Sequence, residues 1–252
     1  GVAQEGSGGA GSSSARASSS ATGSAASTTA TTASGESGGG GQGGGEGGGP
    51  SELHPRLDAI QMKASHNSYQ RDEAHFDIFA YHRVRAIELD IHVDKTSWDP
   101  MPGDWFVYHA DIVEPETTCH RMRDCLGELV AFDRAVPDHE VAVVFVDLKE
   151  DTFGGTQHAP ADLDALFESV VGRDRIFTPD DLVATCPQAT TPREAVGACG
   201  WPRTDSLRGK LVFALTGGTM CEGGGKLRRY ADEGALAFVA PALEGGCPDV
   251  DA

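Results

Sequence analysis

The chain has 252 residues, a formal charge of -18 and a hydrophobic fraction of 39%. An acidic excess of that size argues against a general nucleic-acid or anionic-membrane binder, which would be basic. No segment is long and apolar enough to span a membrane as a helix.

Residues 1–50 are almost wholly Gly, Ser, Ala and Thr, with no aromatic residue and no large aliphatic one after Val2. Such a segment cannot bury enough apolar surface to offset its ordering entropy, so it is expected to be a disordered, flexible linker. It carries Arg16 against Glu5, Glu36 and Glu46, or -2, which leaves about -16 on residues 51–252. Those roughly 200 residues suffice for one sizeable domain, and their acidity suits divalent-cation binding. The chain starts with Gly rather than Met, as expected of a processed or cut form from which a signal peptide could have been lost.

In chain order, Ile60–Ser65 reads as a first strand that ends in His66-Asn67-Ser68-Tyr69. Val84–Val93 reads as a second, with an apolar face (Ile87, Leu89, Ile91) and an ionisable one (Glu88, Asp90, His92). Two carboxylates on a covered face cost desolvation energy and repel each other unless a cation or proton neutralises them. An antiparallel strand with its polar side in water would explain the same pattern. Trp105–His109 is a third strand, and Leu126–Val136 follows with helical spacing. Val141–Leu148 is an almost continuous apolar run, as expected for a strand covered on both sides. Asp162–Val171 reads as a helix with acidic residues in its first turn, and Thr178-Pro179-Asp180-Asp181 opens a short one with Thr as its cap. Leu211–Leu215 and Leu236–Val239 are the fifth and sixth strands.

Alternating strands and helices predict a parallel α/β arrangement, either a TIM-type barrel or an open sheet. The open-sheet case usually has a Gly-rich phosphate turn after its first strand, and here that turn is His-Asn-Ser-Tyr. Polar residues gather at the C-terminal ends of four successive strands: His66 and Asn67, then Glu88 and Asp90, then His109, then Asp147 with Lys149. In a parallel barrel those ends converge on one mouth. Each has a bland reading as well: a satisfied core histidine, a helix cap, a solvated charge. Three carboxylates and an amide oxygen make a hard, oxygen-only ligand set that suits Ca²⁺, with Mg²⁺ second and zinc disfavoured. A cation with two histidines is equipment for phosphoryl chemistry. Six cysteines, at 119, 125, 186, 199, 221 and 247, none in a C-x-x-C pair, suggest disulfides in an exported protein, with sequence neighbours paired. Buried free thiols are the alternative.

At these motifs the sequence resembles a known family. Lys-Ala-Ser-His66-Asn67-Ser-Tyr, Val-Arg-Ala-Ile-Glu88-Leu-Asp90, Phe-Val-Tyr-His109 and Val-Ala-Val-Val-Phe-Val-Asp147-Leu-Lys149 are similar to the catalytic half of the calcium-dependent phosphoinositide-specific phospholipases C, in their secreted bacterial single-domain branch. The likeness runs from about Leu57 to Asp151 and continues more weakly through Trp201-Pro202 and Leu207–Leu215. It implies a PLC-like phosphodiesterase barrel over 51–252, incomplete at its C-terminal side because about six strands are counted where eight are needed. It implies phosphate contact by His66, Ca²⁺ ligation by Asn67, Glu88, Asp90 and Asp147, and proton donation by His109. Lys149 would pair with a substrate phosphate. Asp147 departs from the eukaryotic pattern, which has Glu. His92 and Asp94 read as rim residues, with His92 a rival of His109. No Arg and Tyr match the headgroup-binding positions. The implied activity is Ca²⁺-dependent cleavage of phosphatidylinositol-type lipids by a monomer that meets a membrane only through its substrate. Two readings compete: a glycerophosphodiester phosphodiesterase or sphingomyelinase-D-like enzyme, and a non-catalytic secreted Ca²⁺-binding surface protein.

Overall fold

A computed structural model describes residues 54–93, 102–110, 116–149, 152–153, 157–218, 220 and 225–242, all within one compact unit spanning Gly48–Ala252. Its centre is a parallel sheet with strand order β1 (Ala64–Ser65), β2 (Ala86–His92), β4 (Ala142–Leu148), β5 (Leu211–Thr216) and β6 (Phe238–Val239). Among the described residues the path runs from β1 to β6 without closing on itself.

The alternation of side chains sorts each strand into two faces. Ile87, Leu89 and Ile91 of β2, Val144, Val146 and Leu148 of β4, and Phe213 and Leu215 of β5 form one fully buried layer. Helices α1 (His75–Ala80), α2 (Met122–Ala135) and α3 (Pro160–Val171) join the same core through Phe79, Leu126, Leu129, Phe132, Leu163 and Phe167. The rings of Phe167 and Phe213 stack at 4.1 Å, fastening α3 to β5.

The opposite face is divided along its length. At the N-terminal ends of the strands Val143 and Val212 are covered by a second cluster that includes Leu182 and Cys186 from around α4 (Pro179–Ala184) and Ala195 from α5 (Pro192–Ala198). A disulfide between Cys186 and Cys199 ties the ends of these two short helices. Nearer the C-terminal ends the same face carries Glu88, Asp90, Phe145, Asp147 and Thr216. The register sets Glu88 beside Phe145, and Asp90 beside Asp147. Asp147 in turn lies beside Thr216.

The expected elements are present with four adjustments. The first strand pairs only over Ala64–Ser65. The third, Phe106–Val107 (β3), runs antiparallel to the end of β2 and is not a barrel strand. The amide of Val107 donates to the His120 carbonyl, and the Trp105 indole N–H donates to the Thr152 carbonyl at 2.7 Å. These bonds make the segment a clasp over β2 and leave β4 as its parallel neighbour. The β4 run, expected to be covered on both sides, alternates buried and half-buried, because its second face looks into the mouth. Helices α1, α5 and α6 (Lys226–Glu233) are additional to those read from the sequence. The Thr178 cap is formed as expected: its hydroxyl accepts from the Asp181 amide at 3.2 Å and its own amide donates to the Asp181 carboxylate at 2.9 Å.

Two of the three disulfides expected between sequence neighbours are present, Cys119–Cys125 and Cys186–Cys199. Cys221 and Cys247 lie outside the described residues. No helix among the described residues is long and apolar enough to cross a membrane.

Candidate active site

The turn after β1 is fastened to β2 by its own side chains. The Ser68 hydroxyl donates to the Glu88 carbonyl at 2.7 Å and accepts from the Glu88 amide at 3.1 Å. Asn67 holds a left-handed backbone (φ 45°), which Asn tolerates better than most residues, and its amide donates to Glu88 Oε2 at 3.2 Å. His66 lies beside it with 78% of its side chain exposed and Nε2 3.2 Å from the same Glu88 oxygen. The His-Asn-Ser motif and the middle of β2 are therefore one structural unit.

Asp90 is the buried centre, only 1% exposed. Its Oδ2 is 2.8 Å from His109 Nδ1 and 2.8 Å from Lys149 Nζ. Lys149 Nζ also donates to Asp147 Oδ2 at 2.6 Å, while Thr216 donates its hydroxyl to Asp147 Oδ1 at 3.1 Å. Burial is the largest single influence on Lys149 and acts to lower its pKa. The hydrogen bonds and charges of Asp147 and Asp90 together outweigh it and hold the ammonium above its ordinary value. Tyr69 is fully buried beneath these groups. Its phenol is pushed far above the usual range by burial first, then by the charges of Asp90, Glu88 and Asp147. A cavity of about 430 Å³ opens over His66, Glu88, Phe145, Asp147 and Thr216.

The structure thus brings together the seven residues given site roles from the sequence: His66, Asn67, Glu88, Asp90, His109, Asp147 and Lys149. His92 is placed differently from His109. Its ring stacks on Tyr108 with centroids 3.9 Å apart, and the ring that meets Asp90 is His109. Asp94 lies outside the described residues. Lys149, expected to pair with a substrate phosphate, bridges the Asp90 and Asp147 carboxylates in this structure.

Residues that sequence reasoning missed are Ser68, Tyr69, Thr216 and Gly217. The first two stand inside the His-Asn-Ser-Tyr motif and could have been taken from it. Thr216 ends β5 and Gly217 follows it, with no motif to mark either. Gly217 has φ 93°, and a Cβ there would lie 2.4 Å from the Leu148 carbonyl oxygen and 2.5 Å from Asp147 Oδ1, so only glycine fits against that carboxylate.

A family model for Ca²⁺-dependent phosphoinositide phospholipase C matches residues 101–236. The chain belongs to that family. The matched span holds His109, Asp147, Lys149 and Thr216, while His66, Asn67, Glu88 and Asp90 lie ahead of it. Two solved structures share this phospholipase C fold. A Ca²⁺-dependent phosphoinositol-specific phospholipase C from a Pseudomonas species is 23% identical, with a TM-score of 0.64 over 75% of this chain and 67% of that one. The Streptomyces antibioticus Ca²⁺-dependent phosphatidylinositol-specific phospholipase C is 24% identical, with a TM-score of 0.57 over 75% and 66%. No curated protein matches the chain in sequence. The chain is therefore a phosphoinositide phospholipase C-like hydrolase on an α/β fold of the kind found in PLC-like barrels.

Calcium follows from the family's name, and the residues present can be tested against it. Asn67 Oδ1 is buried and accepts no hydrogen bond among the described residues. An acceptor left unsatisfied in this way is costly unless a donor or cation meets it. With Glu88, Asp90 and Asp147 it makes an all-oxygen donor set of the hardness Ca²⁺ prefers. Among the described residues no three His, Cys, Asp or Glu side chains take up metal-ligand spacing, and the Lys149 ammonium lies between two of the carboxylates. The residues fit the ion in kind, with Lys149 in contention for the same oxygens.

Proposed function

We propose that this mouth cleaves phosphatidylinositol-type phospholipids to diacylglycerol and a cyclic inositol phosphate, which is then hydrolysed to inositol phosphate. The observation that carries the reading is that two histidines, His66 and His109, each meet a different carboxylate of β2, at 3.2 and 2.8 Å, with Asp90 in register beside Asp147. Asn67, Glu88, Asp90 and Asp147 would hold Ca²⁺. When bound, that ion would supply charge to the phosphate oxygens and acidify the attacking hydroxyl.

The chain's own groups supply the rest. Asp90, accepting from His109 Nδ1–H at 2.8 Å, orients the ring and leaves Nε2 as the nitrogen that would give a proton. The inositol 2-hydroxyl attacks phosphorus and loses its proton to a carboxylate of the mouth. The bond from phosphorus to the glycerol oxygen breaks, and His109 protonates that oxygen as it leaves. His66, exposed and steadied by Glu88, would donate to the phosphate oxygens as charge builds on them. Water then opens the cyclic diester by the reverse proton path, with His109 as base.

Export fits the disulfides, and a cell-surface role fits residues 1–50 acting as a tether for a monomeric catalytic domain over 51–252. The deciding experiment is incubation with phosphatidylinositol and Ca²⁺, followed by product analysis. Cyclic inositol phosphate is expected. Phosphatidic acid or free glycerophosphate would replace this reading with the glycerophosphodiesterase or sphingomyelinase-D type, and no turnover with intact Ca²⁺ binding would leave a non-catalytic binder.

A further inference from the structure

Asp90 and Asp147 are register partners on adjacent parallel strands and share one face. Carboxylates placed side by side in this way repel, and burial makes the repulsion stronger, unless a cation lies between them. Lys149 Nζ is that cation here, 2.8 Å from Asp90 Oδ2 and 2.6 Å from Asp147 Oδ2. Its backbone is pinned: its amide donates to the Ile91 carbonyl at 3.2 Å, and the Thr152 hydroxyl contacts the carbonyls of Lys149 (2.8 Å) and Ile91 (3.1 Å). The flexible four-carbon side chain is the part left able to move.

We propose that Lys149 is a tethered counter-ion for Asp90 and Asp147, which a divalent cation must displace in order to use both carboxylates. This rests on the Ca²⁺ reading above. An ammonium and a metal ion cannot both take Oδ2 of the two aspartates from the same side, because each would repel the other at a few ångströms. Lys149 therefore keeps the two carboxylates in register when no metal is bound and lowers their affinity for one. The displaced ammonium becomes available to an anionic oxygen in the same mouth. Cation entry and phosphate capture by Lys149 are thus a single exchange: while Lys149 bridges the aspartates it cannot bind phosphate.

The test is Lys149→Met, with Lys149→Arg as the charge-keeping control, followed by Ca²⁺ titration calorimetry and by thermal melts in chelator and in saturating Ca²⁺. The Met variant should bind Ca²⁺ about tenfold more tightly or better. It should melt lower than the wild type in chelator, with the gap closing in Ca²⁺. The Arg variant should stay within a few-fold of the wild type. Unchanged or weaker Ca²⁺ affinity in the Met variant overturns the proposal. If the wild type binds no Ca²⁺ at all, the calcium reading itself fails, and that result differs from a wild type that binds while Lys149→Met binds no better. Should the Met variant not fold, lysine-selective ammonium NMR of the wild type decides: the Lys149 signal should shift on Ca²⁺ addition, and an unmoved signal overturns the proposal.

Discussion

At the N-terminal ends of the strands, charged side chains are committed to backbone carbonyls and to one another. Lys63 donates to the His82 carbonyl at 3.1 Å, and Arg85 to the Phe79 and Val84 carbonyls at 3.0 and 2.8 Å, all at or just past the C-terminus of α1. Arg175 reaches the Pro137 carbonyl beyond α2 at 2.8 Å while pairing with Asp133, and Lys210 reaches the Asp174 carbonyl beyond α3. Helices of an α/β unit run antiparallel to its strands, so their negative C-termini collect at this end and draw in cations. At the C-terminal ends the pattern is reversed. Carboxylates crowd together on β2 and β4, the buried Asn67 amide oxygen accepts no hydrogen bond among the described residues, and one histidine stands mostly in solvent. Charge at the first end completes the fold; charge at the second exceeds what the fold needs. That excess locates the chemistry.

If the mouth is held for catalysis, its histidines should matter to rate and little to stability. His109→Ala and His66→Ala should each lower turnover of phosphatidylinositol by about 10²–10⁴-fold. His66→Ala, being at an exposed position, should change stability by less than about 0.5 kcal/mol. Full activity in either variant, measured by release of cyclic inositol phosphate, would remove that residue from the mechanism.

The next largest effect concerns the carboxylates. At a Ca²⁺ concentration one hundred times its Kd the wild type should gain about 2.7 kcal/mol, and Asp147→Ala should gain almost none, read as the Ca²⁺-dependent rise in Tm. An undiminished rise in the variant would take Asp147 out of the ligand set.

The opposite end should behave the other way. Arg175→Met leaves Asp133, of which 10% of the side chain is exposed, with His139 at 3.1 Å as its remaining partner. It should cost about 2 kcal/mol in denaturant unfolding, with turnover unchanged. Arg85→Met should cost about 1 kcal/mol, since its partner Glu140 is exposed and the capped carbonyls can turn to water. A loss of activity larger than the loss of folded protein in either variant would erase the division between the two ends.

The sequence was most legible where the determinant is local. Residue alternation showed the two faces of Val84–Val93, the Thr178 box showed a helix start, and pairing each cysteine with its sequence neighbour, one of fifteen possible connectivities, gave the two pairs seen among the described residues. It was least legible where partners are remote. Trp105–His109 has the composition of any strand, and its antiparallel clasp on β2 depends on bonds to His120 and Thr152. Lys149 read as a solvated charge or a phosphate ligand, since nothing in Asp-Leu-Lys announces a second aspartate 57 residues earlier at bonding distance.

By itself, then, the sequence determined which residues are candidates for the chemistry: the motifs that hold His66, Asn67, Glu88, Asp90, His109 and Asp147 are short, and each strand's period of two sets the face on which its own side chains lie. Only the tertiary structure decided which of these groups touch. The β2–β4 register places Asp90 against Asp147, the clasp brings His109 rather than His92 to Asp90, and Gly217 leaves room for the Asp147 carboxylate. The reason is physical: alternation along a strand is a property of one segment, whereas repulsion between carboxylates and its relief by an ammonium depend on distances that exist only after strands from separate segments have paired.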